Sequence, residues 1–174
     1  MSAKRILGID PGTATVGYGV IDCPAKETFR WVASGVILTP KHLSPGERLA
    51  IIRTDILSLM DEFRPDCLSV EAIFFFKNAK TVIPVAQARG VILEAAATRC
   101  TATFEYTPMQ VKLNLTGTGK ADKKLVQEAV SRLLDLPQLI KPDDAADAVA
   151  IAVCHARLSL TPGPLASQPA PASK

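Results

Sequence analysis

Ile6-Leu7-Gly8-Ile9-Asp10-Pro11-Gly12-Thr13 is the stretch around which the chain is organised. A short apolar run ends in a carboxylate, and a Pro-Gly turn follows at once. A second apolar run, Val16-Gly17-Tyr18-Gly19-Val20-Ile21-Asp22, then heads back, as two antiparallel strands joined by a tight turn would. Asp10 therefore stands at the tip of the leading strand. Buried and ionised, it is costly unless paired or bound to a cation. The plainer role is to close the turn by bonding the local backbone. The stretch alone leaves both roles open.

Outward from it, Phe29–Leu38 reads as a third strand, completing an antiparallel meander. Ser44-Pro45-Gly46-Glu47 then starts a helix, with Ser44 as N-cap, Pro45 at the first position and Glu47 at the capping-box position. Its apolar face is Leu49, Ile52, Ile56, Leu59, Met60 and Phe63, and Pro65 ends it. Cys67-Leu68-Ser69-Val70-Glu71 is a fourth strand, again ending in an acid. Reached through a helix, it is expected to lie parallel to a neighbour in the same sheet. The connection Ala72–Asn78 holds Phe74, Phe75 and Phe76, half of the chain's six phenylalanines. A helix over 81–99 with Thr81 as N-cap, a strand over Thr103–Tyr106 and a short helix capped by Thr107 follow. Another helix spans Asp122–Leu134, with Leu125, Val126, Ala129, Val130 and Leu133 facing inward. The last helix begins at Asp143-Asp144 and runs to about Leu158. The expected architecture is α/β: a five-stranded mixed sheet, three antiparallel strands then two parallel, flanked by helices. Residues 1–160 form one domain and the Pro/Ala/Ser-rich 161–174 a disordered tail.

At 174 residues and 48% hydrophobic, the chain can bury a substantial core. A net charge of +3 permits a nucleic-acid partner without demanding one. Cys23, Cys67, Cys100 and Cys154 are far apart with no CxxC pair, which argues against zinc-finger and thioredoxin readings and for reduced, largely structural thiols. With no signal peptide and no apolar run of roughly 20 residues, a soluble cytoplasmic protein without membrane contact is expected.

Four carboxylates stand out by position. Asp10 and Glu71 each end a strand, and they share one edge of the sheet if those strands are parallel neighbours. Asp144 and Asp147 lie one helical turn apart, about 4.5 Å along the axis, on one face of the last helix. That helix is rich in small residues (Ala145, Ala146, Ala148, Ala150, Ala152) and can lie close to the sheet edge. Such a cluster repels itself unless a cation sits inside it, and carboxylate-only ligation suits Mg²⁺ or Mn²⁺. Two ions about 3.5–4 Å apart would suit phosphodiester hydrolysis. In isolation, Asp144 and Asp147 are also ordinary acids of a helix N-terminus. Asp143 sits off the shared face, as a bystander or cap. His155 lies about 12 Å along the axis from Asp147 and reads as structural.

Taken in order, these pieces resemble the RuvC family of Holliday-junction resolvases, within the ribonuclease-H-like superfamily. The matching residues are Gly8-Ile9-Asp10-Pro11-Gly12, Gly17-Tyr18-Gly19-Val20, Glu71, Phe74 and Lys77-Asn78-Ala79. Gln87-Ala88-Arg89-Gly90, Phe104-Glu105-Tyr106, Gln110-Val111-Lys112 and Asp144-Ala145-Ala146-Asp147-Ala148 follow. The resemblance implies a homodimer that resolves four-way DNA junctions by symmetric paired nicks in recombination and repair. It implies that Asp10, Glu71, Asp144 and Asp147 hold two Mg²⁺ ions per subunit, with Mn²⁺ as a substitute. A water would attack in line, leaving a 5′-phosphate and a 3′-hydroxyl. Lys112 and Lys123 match lysines near the catalytic acids, and Phe74 matches an aromatic that wedges against bases. Lys77, Arg89, Lys120 and Lys124 extend the DNA-facing set. The helix over 81–99 would supply dimer contacts through Val82, Ile83, Val85, Val91 and Ile92, residues equally suited to the core. RuvA and RuvB, the branch-migration proteins, are the implied partners. Ala72 departs from the polar residue often found there, and the phenylalanine run and tail are longer.

Three other readings compete. The Asp10-Pro11-Gly12-Thr13 turn is similar to the first phosphate loop of actin-like and sugar-kinase ATPases, which need two such domains and a second loop. A YqgF-type or RNA-cleaving ribonuclease-H-like nuclease is a nearer rival. A non-catalytic junction-binding protein is the third, although all four acids are present.

Overall fold

The computed structural model describes residues 3–73 and 79–159. The elements are β1 (Lys4–Asp10), β2 (Thr15–Ala25), β3 (Thr28–Leu38), α1 (Pro45–Phe63), β4 (Cys67–Glu71), α2 (Ala79–Thr98), β5 (Ala102–Tyr106), α3 (Pro108–Thr116), α4 (Lys123–Leu133) and α5 (Asp143–Ser159). The five strands form one sheet in the order β3-β2-β1-β4-β5. β1 pairs antiparallel with β2 and parallel with β4, and β4 pairs parallel with β5, as the meander and the helical crossovers require.

Strand periodicity decides what each sheet face carries. Side chains alternate along a strand, so Leu7 and Ile9 enter one core and Ile6 the opposite one. Val16 and Val20 face with Leu7, whereas Ile21 and Cys23 face with Ile6. In β4, Leu68 and Val70 join the first set and Cys67 the second. The first core is closed by α1 and α2 through Ile52, Ile56, Ala88, Ile92, Ala95 and Ala96. The second is closed by α3, α4 and α5. Counting by twos from Ile6 and Cys67 puts Asp10 and Glu71 on the α5 face.

On that face α5 approaches the sheet at backbone distance. A Cβ on Gly8 would stand 2.1 Å from the Ala148 carbonyl oxygen, and one on Gly17 would stand 2.0 Å from that of Asp144. Only glycine permits so close an approach. The alanines of α5 make the matching surface: Ala145, Ala148, Ala152 and Ala156 are fully buried.

The two capping boxes form as expected. Ser44 accepts from the Glu47 amide and Thr107 from the Gln110 amide, and both third-position side chains bond back to their caps. α1 ends with Arg64 in the left-handed conformation, just ahead of Pro65. Two expectations are corrected. α2 begins at Ala79, not at a Thr81 cap, so Pro84 lies inside the helix, past the turn whose amides have no helical acceptor. Leu125 is 41% exposed, so the inner face of α4 is Val126, Ala129 and Val130 with Leu133 packed at its margin, and Gln127 and Ser131 are also buried. Along α2, Ile92 is fully buried and belongs to the core, while Ile83 is 65% exposed. Phe74, Phe75, Phe76, Lys77 and residues 160–174 lie outside the described residues. Among those described, no helix is long and apolar enough to cross a membrane.

Candidate active site

The four acids are brought to one place by three elements. Ile9 of β1 is in register with Val70 of β4, so Asp10 and Glu71 lie side by side at the same sheet edge. Asp10 is also the register partner of Gly17 in β2, and the Asp144 backbone rests directly over Gly17. Asp147, one turn further along α5, lines a cleft of about 210 Å³ with Glu71, Lys112 and Lys123.

The electrostatics follow from that crowding. Burial, then the charges of Glu71, Asp147 and Asp144, push the Asp10 carboxyl up to about 8. Glu71 is also raised, chiefly by burial, although its hydrogen bond with Asp10 and the nearby Lys123 charge pull the other way. Asp10 and Glu71 thus share a proton near neutral pH, with Asp10 donating. Lys123 counters the cluster from α4: its ammonium lies 2.9 Å from Asp147 and 3.7 Å from Asp143. Its own pKa rises, chiefly through the bond to Asp147.

Among the described residues, no three His, Cys, Asp or Glu side chains already stand in metal-holding arrangement. The donor set nevertheless fits a hard divalent cation. It consists of carboxylates alone, two of them held protonation-prone by burial and by their neighbours' charge. A cation would relieve the same repulsion that a shared proton relieves here.

The other expected residues distribute unevenly. Lys112 lines the cleft beside Lys123. Lys120 is exposed in the α3–α4 connection, and Lys124 is exposed with its ammonium 3.9 Å from Glu128. Arg89 is half-buried and ion-paired with Glu105, tying α2 to β5. Phe74 and Lys77 lie outside the described residues. Asp143 is not the cap, since it is the first residue of α5, and it bonds Lys141 at 2.9 Å and the Gln127 side-chain amide at 3.1 Å. Those bonds hold its carboxyl below the usual range. Gln127 went unremarked in the sequence; a buried polar residue shows only through its partner.

His155 is fully buried on the sheet side of α5, away from the cleft. Its Nδ1 lies 2.7 Å from the Tyr106 hydroxyl and its Nε2 3.2 Å from Cys67 Sγ, with the Phe104 ring centroid at 4.4 Å. Burial lowers its pKa to about 4 and raises the Cys67 thiol to about 11, so neither is a charged catalyst near neutral pH. In the unfolded chain the imidazole takes up its proton near pH 6.5. Between about 6.5 and 4 the unfolded state therefore binds more protons, and stability falls as pH drops through that window. Because Asp10 contributes a slope of opposite sign over part of this range, the test is the difference between variants: the melting-temperature gap between the native chain and His155→Phe should narrow as pH drops from 6.5 to 4. An unchanged gap would overturn the assignment.

The chain is similar to known proteins along most of its length. A family profile described as "Crossover junction endodeoxyribonuclease RuvC" matches residues 6–155. The protein of that name from Fusobacterium nucleatum subsp. nucleatum is 51% identical over 151 residues, which are 87% of this chain and 79% of the relative. The one from Syntrophomonas wolfei subsp. wolfei is 50% identical over 151 residues, 87% of each chain. Thermus thermophilus RuvC superposes with a TM-score of 0.83 at 34% identity, covering 89% of this chain and 95% of that one. T. thermophilus RuvC in complex with a Holliday junction substrate gives 0.84 at 33% identity, with 90% and 97% covered.

Proposed function

The chain belongs to the crossover junction endodeoxyribonuclease RuvC family, and from that premise we propose that Asp10, Glu71, Asp144 and Asp147 form its metal-holding catalytic centre for cutting four-way DNA junctions. The enzyme is thus a structure-specific DNA endonuclease on a ribonuclease-H-like sheet. One observation carries the assignment of the centre: the β1–β4 register and the seating of α5 on Gly17 bring four carboxylates to one sheet edge, where burial and like charge push the Asp10 carboxyl upward.

The chain's own residues supply position and charge. Asp10 and Glu71 present carboxylate oxygens from a sheet edge whose spacing is set by backbone pairing. Asp144 and Asp147 present theirs from the first turns of α5. Two Mg²⁺ ions bound there would acidify an attacking water and steady the leaving oxygen of a phosphodiester. Lys112 and Lys123 flank the cleft, where their ammonium groups can meet the phosphate and the charge that builds in the transition state. For that, Lys123 must exchange part of its bond to Asp147, a half-exposed contact of small energy. Lys120 and Lys124 extend the positive rim toward flanking phosphates, and Phe74 and Lys77 complete the DNA contacts.

The reading extends to a homodimer, since a two-fold pair of active sites suits a junction of approximate two-fold symmetry. Exposed Ile83 on α2, with half-buried Val82 and Val85, offers an apolar start for that contact. RuvA and RuvB as partners, and the cytoplasm as location, come with the family. We also read 161–174 as a tail appended to a single nuclease domain.

The test uses the chain and its Glu71→Gln variant with a labelled four-way junction, a linear duplex and an RNA–DNA hybrid, in Mg²⁺ or EDTA. Paired nicks in the junction alone, lost in EDTA and in the variant, are expected. Equal cutting of linear duplex would overturn the proposal. A second expectation concerns the metal itself. Because a cation must displace the shared proton, Mg²⁺ should raise the melting temperature more at pH 8 than at pH 6, and binding at pH 7 should release protons. Equal shifts at both pH values would argue against these acids as ligands.

A further inference from the structure

Arg48, in the first turn of α1, reaches the turn that follows Asp10. Its Nη2 donates to the Thr13 carbonyl at 2.8 Å, and its Nε donates to Thr39 Oγ1 at 2.8 Å. The Thr39 hydroxyl donates to the same Thr13 carbonyl, and the Thr39 amide donates to the Ala14 carbonyl at 3.1 Å. Thr39 is buried and Arg48 half-buried, so these bonds are shielded from competing water.

The clamped segment has little slack. Thr13 is three residues from Asp10; the intervening Pro11 is buried, and a Cβ on Gly12 would stand 2.2 Å from the Thr15 carbonyl oxygen. A turn this tight passes a displacement of the Thr13 carbonyl back to the strand end. We propose that Arg48 is a positioning residue for catalysis: it fixes the 11–14 turn so that Asp10 keeps its place against Glu71 and Asp144. This rests on the reading of Asp10 as a metal ligand. The guanidinium suits the task because its fork spans a hydroxyl and a carbonyl at a fixed angle, which a single lysine nitrogen does not.

The rival role, a direct phosphate contact, would affect junction binding rather than metal use. The experiment therefore measures single-turnover junction cleavage against Mg²⁺ concentration, junction binding in EDTA, and melting temperature. It compares the native chain with Arg48→Ala, Arg48→Lys and Thr39→Val, with Asp10→Asn as reference. Arg48→Ala should cleave at least tenfold more slowly at limiting Mg²⁺ and need several-fold more Mg²⁺ for half its maximal rate. Its junction binding should stay within twofold of native. Arg48→Lys should recover part of the loss, and Thr39→Val should shift Mg²⁺ dependence the same way by less. Native Mg²⁺ dependence in Arg48→Ala, whatever its melting temperature, would overturn the proposal. Weakened junction binding with native Mg²⁺ dependence would overturn it too, placing Arg48 on the DNA. If Arg48→Ala does not fold, Arg48→Lys and Thr39→Val, which keep the positive charge, decide by the same criteria. An active Asp10→Asn would instead overturn the metal-centre reading on which this one stands.

Discussion

Asp10→Asn is expected to lose strand cleavage by at least about a thousandfold while melting higher than the native chain in EDTA at pH 8. The two effects have one cause. Asp10 is half-buried among Glu71, Asp144 and Asp147, so its ionised form is opposed by desolvation and by like charge. Asparagine keeps the shape and can still donate to Glu71, but it carries no charge to repel. For the native chain the folded carboxyl titrates near 8 and the unfolded one near 3.8. Between those values the folded state binds more protons, so this group contributes less stability as pH rises from about 4 to about 8. The gain in melting temperature on substitution should therefore be small at pH 5 and largest at pH 8. Melts in EDTA at both pH values, beside a junction cleavage assay in Mg²⁺, check it. A variant that melts lower at pH 8, or keeps a tenth of the activity, would count against Asp10 as the strained centre of the cluster.

Gly8→Val is expected to be the most damaging single change outside the acids. Its first added carbon would lie 2.1 Å from the Ala148 carbonyl oxygen and 2.9 Å from the Ala152 Cβ, in a layer with no room to yield. Moving α5 outward would open the core over Ile6, Ile21 and Cys67, at a cost of at least about 3 kcal/mol. Gly17→Ala asks a finer question. Its methyl would stand 2.0 Å from the Asp144 carbonyl oxygen, so the strain falls on the turn of α5 that carries two of the acids. It should lose more activity than its melting temperature alone would explain. Gly46→Ala and Gly90→Ala are the controls: both glycines are helical, and an added Cβ meets nothing within 4 Å. They should be neutral or stabilising by up to about 1 kcal/mol. Chemical denaturation of the four variants, with cleavage rates, separates packing from positioning.

What could be read without coordinates was what is local or periodic. The Ser44 and Thr107 caps depend on residues three apart, so a capping box is visible in a linear string. A helix-length crossover implied a parallel strand in the same sheet, and Asp10 and Glu71 share an edge because that strand is the neighbour of β1. What escaped depends on partners distant in sequence. Arg48 meets Thr13 across 35 positions, and Arg89 meets Glu105 across the gap between α2 and β5. Arg89 also ties α2 to β5, a role that no linear string shows, because it depends on the carboxylate the arginine faces. Leu125 was misassigned for a related reason. A helical wheel locates an apolar arc, but the width of that arc is set by neighbours the wheel does not contain.

The meeting of glycine backbone with helix backbone has a consequence for how enzyme and substrate accommodate one another. Three of the acids, Asp10, Asp144 and Asp147, are mounted on main chain pressed against main chain, where no rotamer change can relieve a misfit. The lysines around them sit on longer, half-exposed stems with several torsions free to turn. The negative side of the site is thus an anvil and the positive side a set of fingers. In the proposed centre, a phosphate entering out of line would be met by movement in Lys112 and Lys123 and by deformation of the DNA itself. Selectivity for branched over continuous duplex then becomes a question of which nucleic acid bends to the anvil at least expense.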